Sequence, residues 1–111
     1  MTRFEFGDIV LLPFPFTDQS ASKKRPAAVI SNGAYNSARP DIVVAAVTSQ
    51  IGAPLAGDTR IAGWQATGLA KASVVKPVFA TVHRRLVITT LGRLSTADGD
   101  AVRRMIADTL G

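Results

Sequence analysis

The most informative segment of the chain is residues 7–31, GDIVLLPFPFTDQSASKKRPAAVIS. It contains two apolar runs, Ile9 to Phe16 and Ala27 to Ile30, whose aliphatic residues are typical of short strands. Between them lies the polar segment Thr17 to Lys24, which we expect to form a loop. A proline follows Arg25, and a residue before proline is driven out of helical geometry towards extended backbone. The pattern therefore predicts an extended Arg25 at the mouth of the second strand.

Length and composition limit the protein class. The chain has 111 residues, which predicts one domain, 1–111, and 47% of them are hydrophobic, which argues against disorder. There is no cysteine, so disulfides, thiolate metal sites and cysteine nucleophiles are excluded. No apolar run approaches the ~18 residues of a membrane span, and the first residues lack an apolar targeting segment. We therefore expect a cytoplasmic protein with no membrane association.

The charge balance indicates a partner class. Thirteen Lys and Arg residues oppose eight Asp and Glu residues, giving a formal net charge of +5. Such a surplus favours a polyanionic partner, either a nucleic acid (RNA or DNA) or an acidic protein. A basic balance without any specific partner is equally compatible with these numbers.

Hydrophobic patterning predicts a small β-rich domain with one terminal helix. Pro77 should mark an edge or a bulge, because proline cannot donate to a strand ladder. Ser31 or Asn32 could cap one helical turn, and Ser95 followed by Asp98 resembles a capping box at the start of the terminal helix. The predicted strands are Asp8 to Phe14, Ala27 to Ser31, Asp41 to Val47, Asp58 to Ala62, Ser73 to Val82 and a short apolar run at Leu86 to Leu91.

Several motifs in fixed order resemble one protein family over nearly the whole chain. They are Gly7-Asp8, Arg25-Pro26-Ala27-Ala28-Val29-Ile30-Ser31, Tyr35-Asn36, Thr48-Ser49, Gly68-Leu69 and Leu91-Gly92-Arg93-Leu94-Ser95. Together they resemble the PemK/MazF toxins of bacterial type II toxin–antitoxin pairs. The resemblance implies a mainly β fold, an SH3-like barrel (PemK/CcdB-like) with helices and a C-terminal α-helix. It also implies a two-fold homodimer and neutralisation by a cognate, acidic antitoxin.

The activity implied by the resemblance is metal-independent cleavage of single-stranded RNA, with no cofactor. The 2′-hydroxyl attacks its own phosphate and leaves a 2′,3′-cyclic phosphate and a 5′-hydroxyl. The matching motifs place Arg25 and Thr48 at the catalytic site. A guanidinium suits phosphate binding because it is a planar fork of donors that stays charged. From the residues alone, Arg25 could instead be a solvated cation or pair with Asp8 or Asp18, and Thr48 could bond local backbone.

Further polar and aromatic residues are candidates for RNA binding. Cations would follow the RNA backbone, and aromatic rings would stack on bases. The candidate set is Lys23, Lys24, Ser49, Trp64, Lys71, Ser73, Lys76, His83 and Arg84, with Arg85, Phe14, Phe16 and Tyr35 as further possibilities. The phenylalanines suit a core or dimer interface better, whereas Trp64, beside a glycine, suits a ligand or interface role.

Two candidates bear on proton transfer. His83 is the only histidine and could act as a general base, or could simply belong to a basic strand end. Some relatives carry an arginine and an aspartate where this chain has Lys71 and Ser73, and a serine cannot act as a carboxylate base. Asp8 is acidic but is expected to be structural. A second interpretation is therefore a non-catalytic toxin of the same fold that binds a protein such as DNA gyrase, and a third is a plain RNA-binding module.

Overall fold

The computed structural model describes residues 3–13, 23–53 and 55–111. The elements follow one another as a set of short strands with two α-helices. In chain order they are β1 (Asp8–Pro13), β2 (Lys24–Val29), α1 (Gly33–Ala38), β3 (Asp41–Thr48), β4 (Thr59–Arg60), a 3₁₀ helix (Trp64–Thr67), β5 (Val74–His83), a second 3₁₀ helix (Arg84–Leu86), β6 (Thr89–Arg93) and α2 (Thr96–Leu110).

The strands form one six-stranded sheet in the order β4-β5-β3-β2-β1-β6, and every neighbouring pair is antiparallel. Central β3 buries residues on both faces, as its apolar run predicts. Ile42 and Val44 belong to one buried cluster, whereas Ala45 and Val47 belong to the other. The second of these faces is covered by α2. We call it the helix face and call the other the open face.

The sheet curls until its two edges approach each other. The 3₁₀ helix Trp64–Thr67 follows edge strand β4, yet it packs against β6 at the opposite edge. Two motif glycines permit this contact. A Cβ on Gly92 would overlap the Thr67 carbonyl, and one on Gly68 (φ +80°) would overlap the Leu91 carbonyl. The prediction of a small, strongly bent antiparallel sheet with a terminal helix is confirmed.

Both helices begin as their sequences predict, with one difference. Asn32 caps α1 by accepting the Tyr35 N–H at 2.9 Å, and Ser95 caps α2 by accepting the Asp98 N–H at 3.1 Å. The reciprocal half of the capping box is absent, because the buried Asp98 carboxylate accepts the N–H groups of Ala62 and Gly63 at 3.0 and 2.9 Å instead. This carboxylate therefore ties α2 to the segment after β4.

Some strand boundaries differ from the predictions. β2 begins at Lys24 rather than Ala27, because its first residues pair with β1 alone and Pro26 loses no bond to β3 there. β4 is only two residues long. β5 extends to His83, and Pro77 lies within the bulge that β5 forms against β3, as predicted. The predicted end of the first strand at Phe14 and most of the Thr17 to Lys24 loop lie outside the described residues, as does Phe16.

Candidate functional site

The register of the sheet brings Arg25 and Thr48 to the same end of neighbouring strands. Ala27 of β2 pairs with Ala46 of β3 in the last pair of this ladder, and Arg25 and Thr48 lie two residues beyond that pair on their strands. Opposed residues point to the same face, which here is the open face of Ala27. Both side chains are partly exposed. The two residues that the sequence nominated for catalysis therefore lie at the same end and on the same face of neighbouring strands.

The Thr48 hydroxyl can still donate a hydrogen bond, although it already accepts one within the turn that follows β3. It accepts the Gln50 backbone N–H at 3.1 Å, which is the local contact considered as the alternative role. A hydroxyl has one donor and two acceptor positions. Accepting one bond leaves the Thr48 proton able to donate to a phosphate oxygen or a ribose hydroxyl.

The cations nearest this end in the register are exposed. Lys24 pairs with Pro13 and precedes Arg25, which pairs with Leu12. Lys23 and Lys24 are both exposed, as is Ser49 after the end of β3. These residues form a basic rim beside the Arg25–Thr48 pair. We refer to Lys23, Lys24, Arg25, Thr48 and Ser49 as the Thr48 end.

The same row of the sheet continues to a residue that sequence reasoning did not single out. Thr48 pairs with Val74 of β5, and Val74 pairs with Arg60 of β4. Arg60 is exposed and lies about 10 Å from Thr48, two strand spacings away, at the edge of the sheet, where it also lines a cavity against α2. The position of Arg60 follows from the pairing of β4 with β5. A strand of only two residues gives too short a sequence pattern to predict that pairing.

A cavity of about 240 Å³ lies beside this row. Its floor is buried Val74, and the turn after Thr48 forms one wall. An ion pair stands on another wall, where the Lys76 ammonium lies 3.1 Å from both oxygens of Asp58. The lining residues are Gln50, Ile51, Gly52, Ala53, Asp58, Arg60, Val74 and Lys76.

Asp58 is held in its ionised form. Burial raises the pKa of this carboxyl, but the Leu55 backbone N–H and then the Lys76 ammonium favour the charged form more strongly, so its pKa is below the ordinary value. A carboxylate with a lowered pKa and three bonds already accepted is a poor proton acceptor. Asp58 therefore serves to orient Lys76, not to act as a base.

Two predicted RNA-binding residues lie at the other end of the sheet, which we call the Asp41 end. His83 pairs with Asp41 at the start of β3, seven residues from Thr48 and thus roughly 23 Å away. His83 Nδ1 accepts the Arg85 N–H at 3.1 Å and so caps the second 3₁₀ helix. Within one chain, His83 is too far from Thr48 to exchange a proton with the same phosphate.

The remaining polar groups of the Asp41 end bind one another. Arg84 donates to the Asn36 carbonyl and lies over the Phe4 ring, 5.8 Å from its centroid. Asp41 accepts the Tyr35 hydroxyl at 2.8 Å and the Arg39 Nε at 2.9 Å. The Tyr35 hydroxyl contributes most to holding the pKa of Asp41 below its ordinary value, and the same bond raises the pKa of Tyr35.

The structure places the other candidates on or towards the helix face. Trp64 is partly buried against the cluster under α2. Ser73 is buried and donates its hydroxyl to the Lys71 carbonyl at 2.9 Å, and its own carbonyl accepts the Ile61 N–H. Lys71 is exposed. Neither Trp64 nor Ser73 is presented on the open face with Thr48.

Asp8 is structural, as expected. Its buried carboxylate accepts the Glu5 backbone N–H at 2.9 Å and the Arg93 Nε at 2.8 Å, joining the start of β1 to the end of β6. In residues 3–13, 23–53 and 55–111, no three His, Cys, Asp or Glu side chains are grouped so that they could hold a metal ion. Of the helices in these ranges, none has both the length and the apolar character needed to cross a bilayer.

Comparisons with known proteins agree with this architecture. A family model described as PemK-like, MazF-like toxin of type II toxin–antitoxin system matches residues 5–110. No curated protein sequence matches the chain.

Solved structures of similar fold include three from two bacterial groups. MazF from Deinococcus radiodurans is 21% identical, with a TM-score of 0.79 over 100% of this chain and 99% of that one. An endoribonuclease from Mycobacterial species in complex with its cognate antitoxin is 17% identical, with a TM-score of 0.77 over 100% and 96%. The Mycobacterium tuberculosis toxin MazF-mt6 is 19% identical, with a TM-score of 0.74 over 91% and 93%. At these identities the likeness establishes the fold, which is MazF-like, as the motifs led us to expect.

Proposed function

The chain belongs to the family of PemK-like, MazF-like toxins of type II toxin–antitoxin systems, and from that premise we propose that it is an endoribonuclease that cuts single-stranded RNA at the Thr48 end. The observation that carries the proposal is the pairing of Ala27 with Ala46, because Arg25 and Thr48 lie two residues beyond it at the same end of β2 and β3 and on the same face of the sheet. One residue supplies a permanent cation and the other a hydroxyl, and both can contact a single phosphate.

The proposed reaction needs no protein nucleophile. The ribose 2′-oxygen forms a bond to the adjacent phosphorus, the bond from phosphorus to the 5′-oxygen breaks, the 2′-hydroxyl loses a proton and the leaving 5′-oxygen gains one. The products are a 2′,3′-cyclic phosphate and a 5′-hydroxyl. The site must therefore align the attacking oxygen, stabilise the charge that builds on the phosphate and permit proton transfer.

Arg25 and Thr48 suit the first two of these tasks. The guanidinium would bind the non-bridging phosphate oxygens as a fork, which stabilises their growing charge. Thr48 would donate to the phosphate or position the ribose. Lys23 and Lys24 would hold the flanking backbone, so their effect on binding should weaken as salt rises. Lys71 is a further exposed cation of the set, and Lys76 lies beyond Val74 on the cavity wall.

Regulation would follow from the same charges. The endoribonuclease of similar fold from Mycobacterial species forms a complex with its cognate antitoxin. We propose that this chain also has a cognate antitoxin, that this antitoxin is acidic and covers the basic rim, and that the toxin acts as a homodimer in the cytoplasm.

The test is a cleavage assay on long single-stranded RNA in the presence of EDTA. Wild type should give discrete cuts with cyclic-phosphate ends, and Arg25→Ala and Thr48→Ala should each slow cutting by about 100-fold or more, the usual effect of removing a charge-stabilising donor. Arg104→Ala, which removes an exposed arginine from α2, is the matched control and should cut normally.

Two results would contradict the proposal. Folded wild type that cuts none of several RNAs would point to the protein-binding interpretation, with Ser73 in place of an acid as the relevant departure, and DNA gyrase would be tested next. Cutting that Arg25→Ala leaves intact, while RNA affinity and its salt dependence change, would reduce Arg25 to a binding residue.

A further inference from the structure

The cavity beside Thr48 has no role in the proposed cleavage chemistry, yet it opens on the same row of the sheet. Its floor, Val74, is the strand neighbour of both Thr48 and Arg60. An RNA strand whose phosphate is held by Arg25 and Thr48 would reach this cavity with an adjacent base. At about 240 Å³ the cavity is smaller than the pockets that hold drug-sized ligands, and it is suited to a single base.

The chemistry of its walls is rich in donors. Arg60 presents a guanidinium fork, and Lys76 presents an ammonium that Asp58 holds in place with both carboxylate oxygens. The carboxylate offers about four acceptor positions, of which Lys76 and the Leu55 N–H occupy three. A base edge that carries two acceptors side by side is therefore favoured over one that must donate.

We propose that this cavity binds a guanine next to the cut phosphate and that Arg60 reads its O6 and N7 atoms. Guanine is the base whose O6 and N7 present two adjacent acceptors, and arginine binds that edge with two parallel hydrogen bonds. Adenine and cytosine each place an amino donor where the guanidinium also donates. The proposal rests on the proposed function, because it assigns specificity to the same site.

The experiment compares cut sites in an RNA pool that carries all four bases at the positions flanking each cut. Wild type should cut with guanine enriched about 10-fold or more at one flanking position, as expected for a single bidentate arginine–guanine contact. Arg60→Ala should still cut but lose that enrichment. Arg60→Lys, which keeps the charge and loses the fork, should retain only part of it. Arg3→Ala, which removes an exposed arginine before β1, is the control and should cut with the wild-type preference.

The outcomes separate this inference from the proposed function. Cutting by wild type without a guanine preference would overturn the inference alone. The same holds if Arg60→Ala lowers cutting equally at all sequences and keeps the guanine enrichment, because Arg60 would then contact only the backbone. Absence of cutting by folded wild type would overturn the proposed function and this inference with it.

Discussion

The two ends of β3 are both basic, but their charges are used differently. At the Asp41 end, Arg84 is bound to the Asn36 carbonyl and Asp41 is bound by Tyr35 and Arg39. At the Thr48 end, Lys23 and Lys24 are exposed and Thr48 keeps a proton to donate. A cluster of cations therefore does not by itself identify a binding surface. The cations must also be exposed, and Lys23 and Lys24 are exposed whereas Arg84 is partly buried.

The strongest contrast should come from substituting one arginine at each end. Arg25→Ala should lower the rate of RNA cleavage per folded molecule by about 100-fold or more. Arg84→Ala should leave the cleavage rate per folded molecule unchanged but lower the free energy of unfolding by about 1–2 kcal/mol, because the contacts with the α1 carbonyl and Phe4 are lost. Cleavage rates and denaturant unfolding of both variants check this. If Arg84→Ala abolished cutting in a folded protein, the distinction between the ends would be lost.

The next prediction tests how much the buried hydrogen bonds near the Asp41 end contribute to the free energy of unfolding. Asn36 is 1% exposed, donates to the Phe4 and Ser31 carbonyls at 2.9 and 3.0 Å and accepts from the Ser31 hydroxyl. Asn36→Ala should cost about 2–4 kcal/mol of unfolding free energy, because it leaves buried polar groups without partners.

Asn32→Ala is the matched control for Asn36→Ala. It removes only the exposed cap of the same helix and should cost about 1 kcal/mol. Equal destabilisation by the two variants in urea unfolding would show that the buried network adds nothing beyond helix capping.

The smallest effect concerns pH and two aspartates, Asp58 in the cavity and Asp41 at the Asp41 end. The pKa values of Asp58 and Asp41 are both lowered on folding. Their stabilising contribution is therefore fully present above an unfolded pKa of about 3.9 and is lost as pH falls through the lower folded value. Asp58→Asn and Asp41→Asn should each destabilise the protein at pH 7, and the difference from wild type should shrink below about pH 4.

Both carboxylates are largely shielded from solvent, with side-chain exposures of 9% for Asp58 and 16% for Asp41. Thermal melts of both variants between pH 2 and pH 7 measure the pH effect. A destabilisation that stays constant over that range would show that neither carboxylate depends on its charge.

Local signals predicted most of the fold. The caps Asn32 and Ser95, the apolar run of β3 and the bulge near Pro77 are all decided by residues close in sequence. Contacts between distant residues were not predictable in this way. The Asp98 carboxylate binds N–H groups 35 and 36 residues away, which no local pattern shows.

The same distinction, between features set by neighbouring residues and contacts between distant ones, applies to the candidate site. The family motifs nominated Arg25 and Thr48, and the pairing of β2 with β3 brings both to the same end of the sheet. His83 and Arg84 belong to a basic run whose internal partners are visible only in three dimensions, and Arg84 reaches a carbonyl 48 residues away. Arg60 was not predicted, because its place depends on the pairing of a two-residue strand with β5.

A double-mutant cycle on the Thr48 end asks whether Arg25 and Thr48 act on one phosphate. Single-turnover cleavage rates would be compared for wild type, Arg25→Lys, Thr48→Val and the double variant. If both side chains act on one phosphate, their effects should be strongly non-additive, and the double variant should be little slower than the worse single variant. If the double variant is slowed by the product of the two single effects, the assignment is contradicted, because Arg25 and Thr48 would then act independently and not on one phosphate.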